Sequence, residues 1–286
     1  MVVAMDPRRL CRTIVLLLLL GSLVPRSARA SAWSFGVFGE RGATSGVVRV
    51  REDAIVGTRF DLRHDLGIDR ATTLGVRAVR RLGEEGAIHL RFVATTLGGS
   101  ATLPRTSDFN GTTLEPGPVS SGTSYLDDWR LQATYWRRVS RFAKGGSLWV
   151  SGGLTFVSLN FKLNARVAAG SARHETKEDF NTQELPVPII GVHLDYPLIN
   201  RLDLLAGLEG GHLPWVSSFR YEGGLVKLTQ SHLDLRLGLR YKISRAWSAR
   251  LYWYHYAYQQ HERSDEDGNY VRVSQQGLGL AVGHGF

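Results

Sequence analysis

With 286 residues, 35 Lys and Arg, 26 Asp and Glu and a formal net charge of +9, the chain is mildly basic and long enough for one large domain. Its single cysteine, Cys11, excludes a disulfide framework. After Ala30 no apolar run is long enough for a membrane-crossing helix, and the charge excess is too small to demand nucleic acid as a partner.

The first thirty residues read as a cleaved export signal. Arg8, Arg9 and Arg12 make a basic start, Ile14 to Leu20 an apolar centre, and Ala28-Arg29-Ala30 a small-residue cleavage site. The apolar centre is shorter than the roughly 20 residues that a spanning helix requires. Cleavage after Ala30 removes Cys11 together with five Arg and one Asp, which lowers the net charge from +9 to +5. The expected division is 1–30, signal, and 31–286, a single β domain.

From there the sequence is organised by a period of two. Ten strands are expected, starting near Ser34, Thr73, Ala87, Asp128, Ser147, Leu185, Leu202, Lys227, Trp247 and Val271. Leu74, Val76 and Ala78 oppose Gly75 and Arg77; Ile88, Leu90, Phe92 and Ala94 oppose His89 and Arg91. Trp129, Leu131, Ala133 and Tyr135 oppose Arg130, Gln132 and Thr134. Between Leu148 and Leu163 the apolar phase changes near Val157, which marks either a bulge or the level where the strand leaves a membrane. Ile190, Val192, Leu194 and Tyr196 oppose Gly191, His193 and Asp195, and Leu202, Leu204, Ala206 and Leu208 oppose Asp203, Gly207 and Glu209. The clearest case is His232 to Ile243, where Leu233, Leu235, Leu237, Leu239, Tyr241 and Ile243 share one face and Asp234, Arg236, Arg240 and Lys242 the other.

The connections alternate between short turns, such as Gly83 to Gly86 and Asn200-Arg201, and long polar loops at about 100–127, 168–183, 217–224 and 262–269. Trp and Tyr fall near the strand ends. This rhythm predicts an all-β fold, a single up-and-down antiparallel transmembrane β-barrel of about ten strands. Eight or twelve are the neighbouring counts, because Trp33 to Arg70 reads as one strand or two.

The last stretch, Leu278-Gly279-Leu280-Ala281-Val282-Gly283-His284-Gly285-Phe286, alternates apolar residues and ends in an aromatic. It resembles the closing strand of Gram-negative outer-membrane β-barrel proteins; His284 departs from the family's usual aromatic or apolar residue at that place. The resemblance implies an outer-membrane location and recognition of Leu278, Leu280, Val282 and Phe286 by the barrel-assembly machinery, with outer-membrane lipid and lipopolysaccharide as surroundings. Gly57 to Ile68 (GTRFDLRHDLGI) resembles a segment that follows the first strand in some small proteins of this class, and reads as an ordered turn.

The expected inward face carries Arg77, His89, Arg91, Arg130, Asp195, Asp203, Glu209, Asp234, Arg236, Arg240, Lys242 and Arg250. These either neutralise one another as cross-strand salt bridges in a filled interior or line a narrow, cation-repelling pore. Tyr252, Tyr254, Tyr256 and Tyr258 share the face of Arg250 as an aromatic wall. No catalytic, cofactor or metal motif stands out: His255, His261 and Ser264 lack a G-x-S-x-G elbow, and the nine His residues are scattered. The expected function is therefore a non-enzymatic outer-membrane barrel, either a narrow porin-like channel or a structural and surface-interaction protein. The alternative is a lipid-modifying outer-membrane enzyme of the lipid A deacylase kind. A continuous lumen would favour the channel, an interior plugged by Arg–carboxylate pairs the structural barrel, and paired Ser and His on the lipid-facing wall near the outer leaflet the enzyme. A further expectation is that Leu237→Arg impairs assembly far more than Arg236→Leu.

Overall fold

The computed structural model describes residues 33–285, apart from 53–54, 143, 172–176, 183–184, 222–224 and 266–267. The expected signal, its cleavage site at Ala28 and Ala30, and the terminal Phe286 lie outside the described residues. Strands are numbered along the chain. Ten long ones form the wall: β1 (Trp33–Arg49), β3 (Arg70–Leu82), β4 (Gly86–Leu103), β8 (Asp128–Arg141), β9 (Ser147–Asn164), β11 (Val187–Ile199), β12 (Leu202–Tyr221), β13 (Leu225–Lys242), β14 (Trp247–Arg263) and β15 (Tyr270–Gly285). Five short ones sit in the longer connections: β2 (Phe60–Asp61), β5 (Ser107–Phe109), β6 (Thr112–Leu114), β7 (Gly117–Thr123) and β10 (Lys177–Thr182).

Each long strand pairs antiparallel with the next long strand. β1 then pairs with β15 from Ser34↔Gly285 to Arg49↔Tyr270, and the sheet closes on itself. At the level that the ten long strands share, closure leaves no free edge, which is the condition for a sheet to sit in lipid; above that level β10 pairs with β9 alone, and the end of β12 with β13 alone. The stretch 33–70 contributes one wall strand and the two-residue β2, so among the described residues the wall has ten long strands. The structure corrects three loop expectations, the stretch 168–183 among them, which holds β10. The stretch 217–224 is mostly strand, because β12 continues to Tyr221 and β13 begins at Leu225; the stretch 100–127 holds β5, β6 and β7.

Two ends result. At the turn end β3–β4, β8–β9, β11–β12 and β13–β14 connect tightly, and Trp33 and Gly285 lie at the same end. The long connections β1–β3, β4–β8 and β9–β11 lie at the loop end.

The wall inverts its polarity partway along. On β9 the inward positions Ser151, Thr155, Val157, Leu159, Phe161 and Leu163 keep one alternation, and its pairing with β8 shows no register shift near Val157. There is no bulge there. Below Val157 the apolar residues point outward, as Val150 and Leu154 do; above it they point inward, and Ser158, Asn160 and Lys162 face out. β15 inverts the same way: Leu278, Leu280 and Val282 are exposed, whereas Val271 and Val273 are buried and Arg272 faces out. The inversion is the upper boundary of an apolar outer belt. A wall solvated by lipid below that level and by water above it would show this inversion, since apolar residues then move inside.

Candidate functional site

The interior is built in layers, and the twelve residues expected on the inward face all lie on the inward alternation of their strands. At the turn end, Arg240 Nη2 donates to Asp195 (2.7 Å) and Asp203 (2.6 Å), and Lys242 Nζ lies 2.8 Å from Asp203. Arg250 stands opposite Arg240 in the β13–β14 register. Arg77 fits because Gly36 and Gly283 beside it have no side chains; a Cβ on Gly36 would lie 2.9 Å from Arg77 Nε.

Above this layer His89 and His193 stack on the Trp136 indole, with ring centroids 3.9 and 3.5 Å away. His193 Nε2 contacts Ser151 Oγ at 3.0 Å and Glu209 Oε1 at 3.4 Å, and Glu209 accepts a hydrogen bond from Gln132 (2.8 Å). A serine relay needs the carboxylate on the ring nitrogen away from the hydroxyl. Here both partners face the same nitrogen, so this buried cluster fixes a ring and does not activate a nucleophile.

The middle of the lumen is an ionic girdle. Glu40 on β1 accepts from Arg236 Nη1 (2.6 Å) and Tyr252 Oη (2.9 Å), with Arg91 Nη2 3.5 Å away. Asp234 on β13 accepts from Arg91 Nη1 (2.9 Å) and Arg236 Nε (2.8 Å). Two carboxylates and two guanidiniums thus bind strands from different sides of the barrel. Isolated buried charges would be unsustainable, and pairing with further hydrogen bonds is what makes them tolerable. Arg130 lies 3.5 Å over the Tyr256 ring. Arg91, Arg130, Gln132, Glu209, Asp234 and Tyr256 line a partly open space that leaves water only about 20 Å³ to occupy.

Above the girdle the lumen is closed by an apolar cap. Phe60, Leu62, Leu66 and Ile68, from the segment between β1 and β3, fold inward and are at most 1% exposed. The β5–β6 hairpin adds Phe109 and Leu114, both fully buried. The rings of Phe60, Phe109 and Phe161 follow one another at 6.2 and 6.3 Å, which carries the packing across to the β9 wall. One cluster joins these residues to Tyr254, Tyr256 and Tyr258 of β14 and to Val271 and Val273 of β15. The hairpin turns on Asn110-Gly111, both at positive φ (50° and 64°), the signature of a tight two-residue turn. It is strapped to the loops on either side: Thr58 N donates to Asp108 O (2.7 Å), and Glu115 N to Arg166 O (2.8 Å).

Glu40, the acceptor at the centre of the girdle, is absent from the sequence-derived set, as are Trp136 and Ser151. Glu40 shares the alternation of Gly36 and Phe38, and that phase was the available signal. The Asn110-Gly111 dipeptide was likewise a legible hairpin signal inside the expected loop. Gly57 to Ile68 is an ordered turn that also supplies half of the cap. Among the described residues no group of His, Cys, Asp and Glu is placed to hold a metal ion.

No family model matches the chain, and no curated protein matches it in sequence. Among solved structures it is similar to the outer membrane protease OmpT of Escherichia coli, at 12% identity over 91% of this chain and 99% of that one, with a TM-score of 0.51. The translocator domain of the autotransporter NalP of Neisseria meningitidis matches at 15% identity over 97% and 96%, with a TM-score of 0.42. The outer membrane protein OprG of Pseudomonas aeruginosa matches at 10% over 90% and 97%, with a TM-score of 0.35. At such identities the likeness concerns the path of the chain and carries no activity across. The chain has the fold of the Gram-negative outer-membrane β-barrels.

Proposed function

We propose that the protein is a plugged, non-conducting barrel of the outer membrane, a structural and surface-interaction protein that presents its cap and rim outward. The observation that carries this reading is the double closure of the lumen, by the Glu40–Arg91–Asp234–Arg236 girdle and by the Phe60–Phe109–Phe161 cap above it. A water-filled pore needs a continuous polar path; the paired girdle narrows such a path and the packed apolar cap lies across it, which supports this reading. On this reading the wall meets outer-membrane lipid and lipopolysaccharide. Leu278, Leu280 and Val282, with Phe286, serve as the assembly signal. The test is conductance of the refolded protein in a planar lipid bilayer. Folded barrels that stay silent support the reading, and discrete anion-preferring steps would replace it with a channel.

A lipid-modifying enzyme is the second reading, favoured by one contact. His212 Nδ1 lies 2.9 Å from Ser231 Oγ, at adjacent outward positions of β12 and β13 just above the apolar belt. A nucleophile and a base at this distance on the outer wall, at the border of the apolar belt, are what such chemistry needs. Among the described residues no carboxylate is paired with His212 to orient it. Lipid acyl composition of cells expressing the wild type and Ser231→Ala, read by mass spectrometry, decides. An acyl chain lost only with the wild type favours the enzyme, and identical profiles leave the structural barrel.

A further inference from the structure

The outward wall above the apolar belt is not uniform in charge. On strands β12 through β15, β1 and β3, the outward positions above the belt hold Lys227, Arg263, Arg272, Arg49, Arg41 and Arg70, and no carboxylate among the described residues. On the other side of the barrel the same level is nearly neutral. β4 presents Thr96, Gly98, Ser100 and Thr102 there, and on β9 Lys162 is paired with Asp127 at 2.8 Å.

Within the basic arc lies a surface groove of about 390 Å³ lined by Arg41, Gly42, Ala43, Arg63, Asp69 and Arg70. Arg70 stands opposite Ala43 in register, and Arg41 stands opposite Leu278 of β15. Three guanidiniums thus surround the groove, against the one carboxylate of Asp69, 3.8 Å from Arg70. Beside and below it the belt begins, with Leu278, Leu74 and Leu280 exposed at 61%, 48% and 66%. A cationic groove set on the rim of an apolar wall matches an amphiphile that carries phosphate at the same height as the roots of its acyl chains. Guanidinium groups suit that phosphate because they offer paired N–H donors to its oxygens.

We infer that the groove between β1 and β3 binds the phosphate of a phosphorylated, multiply acylated lipid of the outer leaflet, with Arg41, Arg63 and Arg70 holding the headgroup and the belt below receiving its chains. The inference rests on the outer-membrane placement in the proposed function, and stands whether or not the lumen conducts. A free anion would use the arginines alone; the lipid uses the arginines and the leucines together.

The test is native mass spectrometry of the folded protein released from detergent micelles, after incubation with a diphosphorylated, hexa-acylated glucosamine disaccharide lipid. Wild-type protein is expected to retain one lipid. Retention should fall at least tenfold for R41Q/R63Q/R70Q, and equally for the same lipid without its phosphates. It should be unchanged for Lys162→Gln on the opposite side, and unaffected by millimolar inorganic phosphate. Heat-modifiable gel mobility checks that each variant is folded. Arg70→Gln alone, at a side chain 66% exposed, serves as the second variant should the triple change fail to assemble, and it should weaken retention severalfold. Equal retention by wild type and arginine variants, or equal retention of the dephosphorylated lipid, would overturn the inference. Competition by inorganic phosphate would assign the groove to free anions.

Discussion

Glu40 is the residue on which the interior turns. It is only 4% exposed, and it is the carboxylate shared by Arg236, Arg91 and Tyr252. Removing its charge leaves Asp234 alone against two guanidiniums that stay buried, and breaking a buried pair on one side costs about 3–5 kcal/mol. Glu40→Gln is therefore expected to destabilise the folded barrel by about 3 kcal/mol in urea titrations from lipid vesicles. The double change Glu40→Leu with Arg236→Met should cost clearly less than the sum of its single changes, because each single change strands a charge and the double one does not. Additive costs would mean that the two residues act independently. Half of this arrangement was legible. The alternation of β13 puts Asp234 and Arg236 on the inward face, but it gives neither height in the lumen nor position around it. Only ring closure reveals that a carboxylate 196 positions away meets Arg236.

At the scale of single strands, the polarity inversion sets what each substitution costs. Phe161 packs inside the cap at 2% exposure, whereas Phe156 faces outward on the same strand below the inversion. Phe161→Ala opens a cavity and is expected to cost about 3–5 kcal/mol. Phe156→Ala should cost far less, since lipid chains fill the space vacated. Unfolding of the two variants from vesicles separates them, and equal losses would place the inversion elsewhere. Leu237, 51% exposed on the belt, keeps its expected penalty of about 2–4 kcal/mol for an arginine. The structure narrows its contrast with Arg236→Leu, however, because that change leaves Glu40 and Asp234 sharing Arg91 alone. The sequence showed the inversion on β9 without saying whether it was a bulge, since apolar periodicity is blind to which solvent lies outside.

The connection before β8 has its own pH dependence. Partial burial alone would push the pKa of Asp127 up, but bonds from Lys162 Nζ (2.8 Å) and from Ser124 N and Oγ (3.1 and 2.6 Å) outweigh it and hold the carboxyl below its ordinary value. A lowered carboxylate contributes its stability fully above the unfolded value of about 4, and loses it as pH falls through the folded value. The amide of Asn160, which donates to Asp127 O at 2.7 Å, should therefore exchange hydrogen faster, as pH drops from about 4 to 2, than the intrinsic acid- and base-catalysed rate alone dictates. Between pH 5 and 8 this excess should be absent, and Asp127→Asn should show no such step.

The whole molecule is two closures in series, which makes a prediction about opening it. Current through a lumen passes every layer in turn, so removing one obstruction leaves the other in control. Replacing Ser107–Leu114 with a short Gly/Ser linker removes Phe109 and Leu114 from the cap, yet the girdle remains, and this variant should stay silent in a planar bilayer. Changing Glu40, Arg91, Asp234 and Arg236 together to Ala clears the girdle without stranding a charge, and it too should stay silent beneath the intact cap. Combined, the two changes should give discrete steps. Their selectivity should favour anions, because Arg77, Arg240 and Arg250 still line the turn end and the carboxylates nearest them, Asp195 and Asp203, are already engaged. Conductance in either single variant would show that one layer alone holds the barrel shut. Silence in the combined one would locate a third barrier at the His89–Trp136–His193 stack, the next layer toward the turn end.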